Sequence, residues 1–311
     1  MENKKDLSIL RERIKRIKIL SDKKIDLAVL QERAKHIKLL VTDLDGTILD
    51  RNYNLSNENR RALVSLAEKG VVLAIATGRA HKDIPEAVNS ISEIRYQITS
   101  NGAKIYSKEL GKFLYERYLT PSSIEYIKPL LEDNNILCEV FWNGTPYIEE
   151  AHYNYNSTYN YVSHKGFGDC YANTIRSING LVSVLLEHTH EIDSIRFVFA
   201  DDVIKESTRP FLEARTDLYN LTSYRSAFFE IRGIGVDKAS AVDFIARREG
   251  ILQSETICLG DNENDVSMIE YAGIGIATTD AALQALYIAD IIAVDDGQAG
   301  IAKTLKSLGL I

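Results

Sequence analysis

From His36 onward the chain alternates short apolar runs with longer amphipathic segments. The runs 37–42, 71–76, 98–99 and 256–259 each stop at small or polar residues. These are Asp43-Leu44-Asp45-Gly46-Thr47, Thr77-Gly78-Arg79, Ser100-Asn101-Gly102 and Gly260-Asp261-Asn262. A run that is apolar at successive positions, without alternation, reads as a strand buried on both faces and so as part of a parallel sheet. Helical patterns lie between the runs. Ser56 can cap a helix that passes Leu63 and Leu66 and stops at Gly70. Asp237 can cap another that passes Val242 and Ile245 and stops at Gly250. Strand and helix in alternation predict an α/β fold, a doubly wound parallel sheet. Ligands of such sheets bind beyond the carboxyl ends of the strands, where the four polar clusters fall.

Two stretches break this rhythm. Between 107 and 226 the pattern becomes mixed. Thr120-Pro121 is a helix start, and Pro129 is placed to kink or shorten that helix. Runs 136–142 and 147–148 flank Asn143-Gly144, a hairpin signal. Runs 181–186, 195–199 and 228–231 predict further strands, so 107–226 reads as an α+β lid inserted into a core formed by 37–106 and 227–311. The first 36 residues contain a duplication: Asp-Leu-Ser-Ile-Leu-Arg-Glu-Arg at 6–13 returns as Asp-Leu-Ala-Val-Leu-Gln-Glu-Arg at 26–33. Each copy reads as a short amphipathic helix, with Leu27, Leu30 and Ala34 at helical spacing in the second. Packing against the body is the simpler use for it; a homo-oligomer or partner contact through these N-terminal helices is the other. Two copies are too few for a solenoid.

A net charge of -7 argues against nucleic acid or an anionic membrane as the main partner. It leaves room for a small anionic ligand held by a local cation. The three cysteines, Cys138, Cys170 and Cys258, stand far apart with no CxxC pair, which disfavours a disulfide framework or structural zinc and suits a reducing cytoplasm. No apolar run reaches the length of a membrane helix, and the N-terminus is too charged for a signal peptide. The cytosol is the expected location.

The strand-end clusters carry chemistry. Asp43 and Asp45, two apart at a strand end, start on one side before Gly46 turns the chain, so one carboxylate can act as nucleophile while its neighbour handles protons. Two solvated acids in a turn are an equally good account of that pair alone. Thr77 offers a hydroxyl and Gly78 an approachable N–H, both suited to phosphate oxygens, although an ordinary turn explains them too. Lys238 sits at a helix start, where a cation is disfavoured unless it faces an anion. The loop from Gly260 to Asp265 holds three acids and two amides. Carboxylates converging there with Asp43 would make a hard-oxygen site for Mg2+. A phosphate dianion meeting Asp43 and Asp261 is repelled by about 4 kcal/mol per charge pair at 4 Å and an effective dielectric of 20. Mg2+ and Lys238 are the charges that would offset it.

Asp-x-Asp-Gly-Thr, Thr-Gly-Arg, a lone Lys, then Gly-Asp-x-x-Asn-Asp, in this order over about 37–310, resembles the haloacid dehalogenase-like hydrolase superfamily. The insert between the second and third motifs resembles the type-II cap of its Cof-type (type-IIB cap) sugar-phosphatase branch. So do Ser100-Asn101-Gly102-Ala103 and the Phe229-Glu230-Ile231 run before Gly235-Val236-Asp237-Lys238. The resemblance implies a Rossmann-like core with an α+β cap and a Mg2+-dependent phosphatase acting on small phosphorylated metabolites, phosphosugars foremost. By position, Asp43 would be the nucleophile that forms an aspartyl-phosphate, and Asp45 the general acid and base. Thr77, Gly78 and Lys238 would hold the substrate phosphate, with Asn264 and Asp265 supporting phosphate, metal waters and Lys238. Arg79 reads either as a clamp on a second anionic or hydroxyl group of the substrate or as a tie from its loop to the cap. The metal would be held by Asp43, the Asp45 main-chain carbonyl and Asp261, with Asp265 in support. Asp45 is informative, because dehalogenases of the superfamily lack that second acid. Lys238-Ala239 departs from the Lys-Gly common in the branch, and the N-terminal duplication lies outside the family pattern.

Weaker candidates are the cap residues His152, Tyr153, Tyr155, Tyr159, Tyr161, His164 and Tyr171, which either line an entrance or pack half-buried. Trp142 and Cys258 read as packing. Two other functions compete: a phosphomutase, and a metabolite-binding regulator that has lost turnover. The intact Asp43, Asp45 and Asp261 speak against the second.

Overall fold

A computed structural model describes residues 26–50, 52–133, 135–150, 176–199, 201–224, 228–293 and 300–311. The first copy of the N-terminal duplication, Cys170 and the aromatic cap stretch from His152 to Tyr171 lie outside the described residues. Helix α1 (Leu27–Ala34) leads into β1 (Leu39–Thr42), α2 (Asn57–Glu68), β2 (Val72–Ala76), α3 (Glu86–Asn89), β3 (Ile94–Thr99), β4 (Lys104–Ser107) and β5 (Lys112–Glu116). The insert follows as α4 (Pro121–Leu131), β6 (Ile136–Trp142), β7 (Thr145–Glu149), β8 (Arg176–Ile178), α5 (Leu181–Glu187), β9 (Ile192–Phe199), α6 (Asp202–Glu213), β10 (Tyr219–Ser223) and β11 (Phe228–Gly233). The chain then returns through α7 (Lys238–Glu249), β12 (Thr256–Gly260), α8 (Val266–Tyr271), β13 (Ile274–Ala277), α9 (Leu283–Ile288), β14 (Ile291–Ile292) and α10 (Gly300–Ser307). None of the described helices is long and apolar enough to cross a membrane.

The core sheet runs in the order β14-β13-β12-β1-β2-β3-β4-β5, parallel up to β3, with β4 and β5 antiparallel at one edge. Its strands are apolar at successive positions because each face has its own cover. Leu40, Leu73, Ile75, Ile257 and Leu259 pack on one side with Leu63 and Leu66 of α2 and Ile301 and Leu305 of α10. Leu39, Val41, Val72, Ala74 and Cys258 pack on the other with Ala241, Val242 and Ile245 of α7. In α1, Asp26 accepts from the Ala28 N–H at 3.0 Å, and Leu30 and Ala34 join the first layer, while Leu27 stays outside at 46% exposure.

The insert builds a second sheet, β10-β11-β9-β6-β7-β8, antiparallel except between β7 and β8. Leu212 of α6, Ile124 and Ile127 of α4 and Leu185 of α5 pack on Ile195, Phe197 and Phe229. The boundaries differ from those expected at 107 and 226. Strand β5, assigned to the lid, pairs with β4 of the core, and β11, assigned to the core, lies between β9 and β10 of the cap. Strand β5 forms a local hairpin with β4, and β11 is drawn into the cap sheet by β10 on one side and β9 on the other.

The run 181–186, expected as a strand, is helix α5. Short apolar runs do not reveal their period. Here Leu181 and Leu185, one turn apart, share the buried side, and the Glu149 carboxylate accepts from the N–H groups of Gly180 (3.1 Å) and Leu181 (2.8 Å) at the helix start. The hairpin β6–β7 turns where expected, with positive φ at Asn143 (46°) and Gly144 (71°). Its tip reaches the core: a Cβ on Gly144 would lie 2.5 Å from Ala80 Cβ. Pro129 does not break α4, which continues to Leu131.

Candidate active site

The four clusters meet at the carboxyl edge of the core sheet. The Asp43 N–H donates to Leu259 O at 2.9 Å, so the chain leaves β1 still tied to β12. It turns at Gly46 (φ 87°), where a Cβ would lie 2.6 Å from Asp261 Oδ2; the glycine lets the Asp43 loop approach the acid that follows β12. After β2 the Thr77 N–H donates to Ile98 O at 2.9 Å. Helix α7 begins at the expected cap: Asp237 accepts from the Ser240 N–H at 2.7 Å, and Ser240 Oγ accepts from the Asp237 N–H at 3.2 Å. That start places the next residue, Lys238, at the sheet edge.

Lys238 is fully buried and bridges two acids: Nζ lies 2.6 Å from Asp43 Oδ1 and 2.5 Å from Asp265 Oδ1. Asp265 Oδ2 accepts from the N–H groups of Asp261 (3.0 Å) and Asn262 (2.9 Å), so one carboxylate fixes both the ammonium and the loop that presents Asp261. Asp261 is half-buried, and its Oδ1 accepts from Thr47 Oγ1 at 3.1 Å. Burial pushes the Asp43 carboxyl up to about 7; the charges of Asp265 and Asp45 add to this and Lys238 opposes it. Burial raises Asp261 well above the carboxylate range, helped by Asp43 and Asp265. Burial works against the charge of Lys238, but Asp265 and Asp43 outweigh it and hold its pKa above the ordinary lysine value.

One carboxylate oxygen from each of Asp43, Asp261 and Asp265 lies within 4.8 Å of the others. This oxygen-only donor set, opposed by a single ammonium, fits a hard divalent cation such as Mg2+. Both Asp265 oxygens are already committed to Lys238 and two N–H groups, which leaves Asp43 and Asp261 as the acids whose carboxylates would hold the ion.

Arg79, expected either to clamp substrate or to tie its loop to the cap, holds Asp45. Nε and Nη2 donate to its two oxygens at 2.7 Å each, Nη1 donates to Asp83 O at 3.2 Å, and the guanidinium lies 4.9 Å from the Tyr53 ring centre. Asn264 Nδ2 donates to Asn101 Oδ1 at 2.8 Å, and Asn101 Nδ2 donates to Glu230 Oε1 at 3.0 Å. Neither Asn101 nor Glu230 was assigned a role from sequence. Their motifs were visible, but the contact joining them crosses from core to cap.

A family profile described as haloacid dehalogenase-like hydrolase matches residues 40–305. The chain belongs to this family. Among curated relatives of this haloacid dehalogenase-like hydrolase, the 5-amino-6-(5-phospho-D-ribitylamino)uracil phosphatase YcsE of Bacillus subtilis is 26% identical over 267 residues, covering 86% of this chain and 94% of that protein. The chloroplastic endoribonuclease YBEY of Arabidopsis thaliana is 25% identical over 284 residues; 86% of this chain matches, but it spans only 45% of that longer protein. Among solved structures, the HAD subclass IIB sugar phosphatase BT4131 superposes with a TM-score of 0.73 at 22% identity, covering 88% of this chain and 100% of that one. At that identity the likeness is one of fold, and it takes in the parallel core sheet together with the inserted second sheet.

Proposed function

We propose that this protein is a Mg2+-dependent phosphatase that hydrolyses small phosphomonoesters, sugar or polyol phosphates foremost, through an aspartyl-phosphate on Asp43. The observation that carries this reading is the buried Lys238 bridging Asp43 and Asp265 while Asp261 converges on the same point. Held by the Asp43 and Asp261 carboxylates and the Asp45 main-chain carbonyl, Mg2+ would supply charge neutralisation for the phosphoryl oxygens. Asp43 attacks phosphorus as the bond to the leaving oxygen breaks, and Asp45 gives that oxygen its proton. Asp45 then takes a proton from water, the water oxygen attacks phosphorus, and the Asp43–phosphorus bond breaks to release phosphate. Lys238 holds Asp43 in place and faces the incoming anion, with Thr77 and Gly78 as further donors. Arg79 donates to both oxygens of Asp45, so one of these bonds gives way when Asp45 carries the proton, and Arg79 fixes where that carboxyl sits.

The substrate class draws support from relatives: YcsE is named for a phosphorylated ribityl compound, and BT4131 for sugar phosphates. A cytosolic location belongs to the same reading and fits the free, buried Cys138 and Cys258. Phosphate release from a panel of phosphomonoesters, with Mg2+, with EDTA, and for Asp43→Asn, tests it. Release that requires the metal and is lost in Asp43→Asn supports the mechanism. If no ester turns over while phosphosugars still raise the melting temperature, the protein is a binding regulator.

A further inference from the structure

Asn101 and Glu230 stand 129 residues apart, one in the core loop after β3 and the other in strand β11 of the cap, yet they share a hydrogen bond and are 3% and 2% exposed. Asn101 takes a left-handed backbone (φ 55°), which Asn tolerates better than most side chains. Its N–H donates to Thr77 O at 3.0 Å. Its side chain also walls the Thr77-Gly78 loop, since a Cβ on Gly78 would lie 3.1 Å from Asn101 Oδ1.

An amide has one accepting and one donating end, whereas an ionised carboxylate only accepts. Glu230 therefore turns Asn101 Nδ2 to the cap, where the same nitrogen also donates to Tyr224 Oη at the longer distance of 3.4 Å. Asn101 Oδ1 must then face the core, where Asn264 meets it with Nδ2. Two arginines face Glu230: Arg232 Nη1 lies 3.3 Å from Oε1 and Arg196 Nη2 3.9 Å from Oε2. Burial opposes its charge, but Arg232, Arg196 and the Asn101 bond outweigh this and keep it below the usual carboxylate range. Arg196 is held in turn by Glu139 at 3.0 Å and lies over the rings of Phe141 and Phe228. Glu230 and its arginines sit on the cap, yet the last link, Asn264, sits on the core next in sequence to Asp265, which holds Lys238.

We propose that Glu230 is a positioning residue: through Asn101 it orients Asn264 and the Gly78 loop, so the phosphate site is complete only when the cap lies on the core. This rests on the phosphatase reading, which supplies the phosphate site.

Charge and hydrogen bonding make opposite predictions for Glu230, and this separates the relay from a general electrostatic effect. Deleting a carboxylate near an anion site tightens phosphate binding by Coulomb's law, whereas deleting the anchor of a relay weakens it. The affinity of the wild type for inorganic phosphate, measured by calorimetry with Mg2+ present, is compared with that of Glu230→Gln, Glu230→Ala, Asn101→Gly and Glu230→Ala/Asn101→Gly. Thermal melting reports on folding in parallel. Gln keeps an accepting oxygen, so Glu230→Gln stays within about threefold of wild type. Glu230→Ala and Asn101→Gly each weaken phosphate by about tenfold, the order of one lost hydrogen bond, and the double variant is no weaker than Asn101→Gly alone. Glycine keeps the left-handed backbone of position 101, so Asn101→Gly carries the test if Glu230→Ala fails to fold. Unchanged or tighter phosphate binding in a folded Glu230→Ala or Asn101→Gly overturns the relay, as do losses that multiply in the double variant. Because binding is read without turnover, a wild type that binds phosphate but releases none from any ester refutes the phosphatase reading and leaves the relay test intact.

Discussion

Replacing Asp265 by Asn changes the side chain by one heavy atom yet should damage both stability and turnover. Asp265 is fully buried, with Oδ1 on the Lys238 ammonium at 2.5 Å and Oδ2 accepting from the Asp261 and Asn262 N–H groups. An amide offers one acceptor and one donor. Whichever way it turns, its donor meets either the ammonium or two N–H groups, and Lys238 keeps only Asp43 as an anionic partner. Breaking one side of a buried ion pair costs about 3–5 kcal/mol. At roughly 2 °C per kcal/mol for a chain of this size, Asp265→Asn should melt about 6–10 °C below wild type. Loosening both Lys238 and the Asp261 loop removes preorganised charge from the phosphoryl site, so kcat/KM should fall by about a hundredfold or more. Metal-free melting curves and phosphate release with Mg2+ read the two effects. The double variant Lys238→Met/Asp265→Asn removes the stranded ammonium as well, so its loss of stability should be smaller than the sum of the single losses by about 0.5–3 kcal/mol. A melting temperature within about 2 °C of wild type, or additive losses in the double variant, would refute the reasoning.

Three further predictions follow from the same geometry. Gly46→Ala places a Cβ 2.6 Å from Asp261 Oδ2 at a left-handed φ, so the half-saturating Mg2+ concentration should rise by about tenfold or more; an unchanged metal requirement would show that Asp261 does not hold the ion. Asp43 is pushed up to about 7, chiefly by burial, and proton and metal compete for its carboxylate. Mg2+ affinity should therefore weaken as pH falls below about 7, by up to about tenfold per unit, and level off above about 8, and a calorimetric profile flat through this range would count against Asp43 as a ligand. Arg79→Lys loses the two-pronged hold on Asp45, so turnover of alkyl phosphates should drop by about ten- to a hundredfold, with a smaller loss for aryl phosphates whose leaving group needs less protonation; equal losses on both would mean that Arg79 does not act through Asp45.

Local order alone determined much of this protein. Apolar runs with a polar stop marked β1, β2 and β12 to within two residues at either end, because strands covered on both faces leave no polar position inside. Ser56 and Asp237 marked two helix starts and Gly250 a helix end, since a cap is chemistry between residues three or four apart. Asp43, Asp45, Thr77, Lys238 and Asp261 were legible as a set for the same reason: each stands at a strand or helix end, and a doubly wound sheet brings such ends together. Matters settled by distant partners were not legible. Run 181–186 became a helix because Glu149 caps it and Leu181 and Leu185 find one apolar surface, and strand β11 joined the cap sheet because β9, well back in the chain, pairs with its other edge. Arg79 turned to Asp45 through a contact that no spacing encodes, whereas the support of Lys238 by Asp265 was already implied by the family motifs. The link from Asn264 through Asn101 to Glu230 is the clearest case. It joins three short polar motifs whose members are individually unremarkable, and only the seating of the cap on the core brings their amide and carboxylate ends within hydrogen-bonding distance.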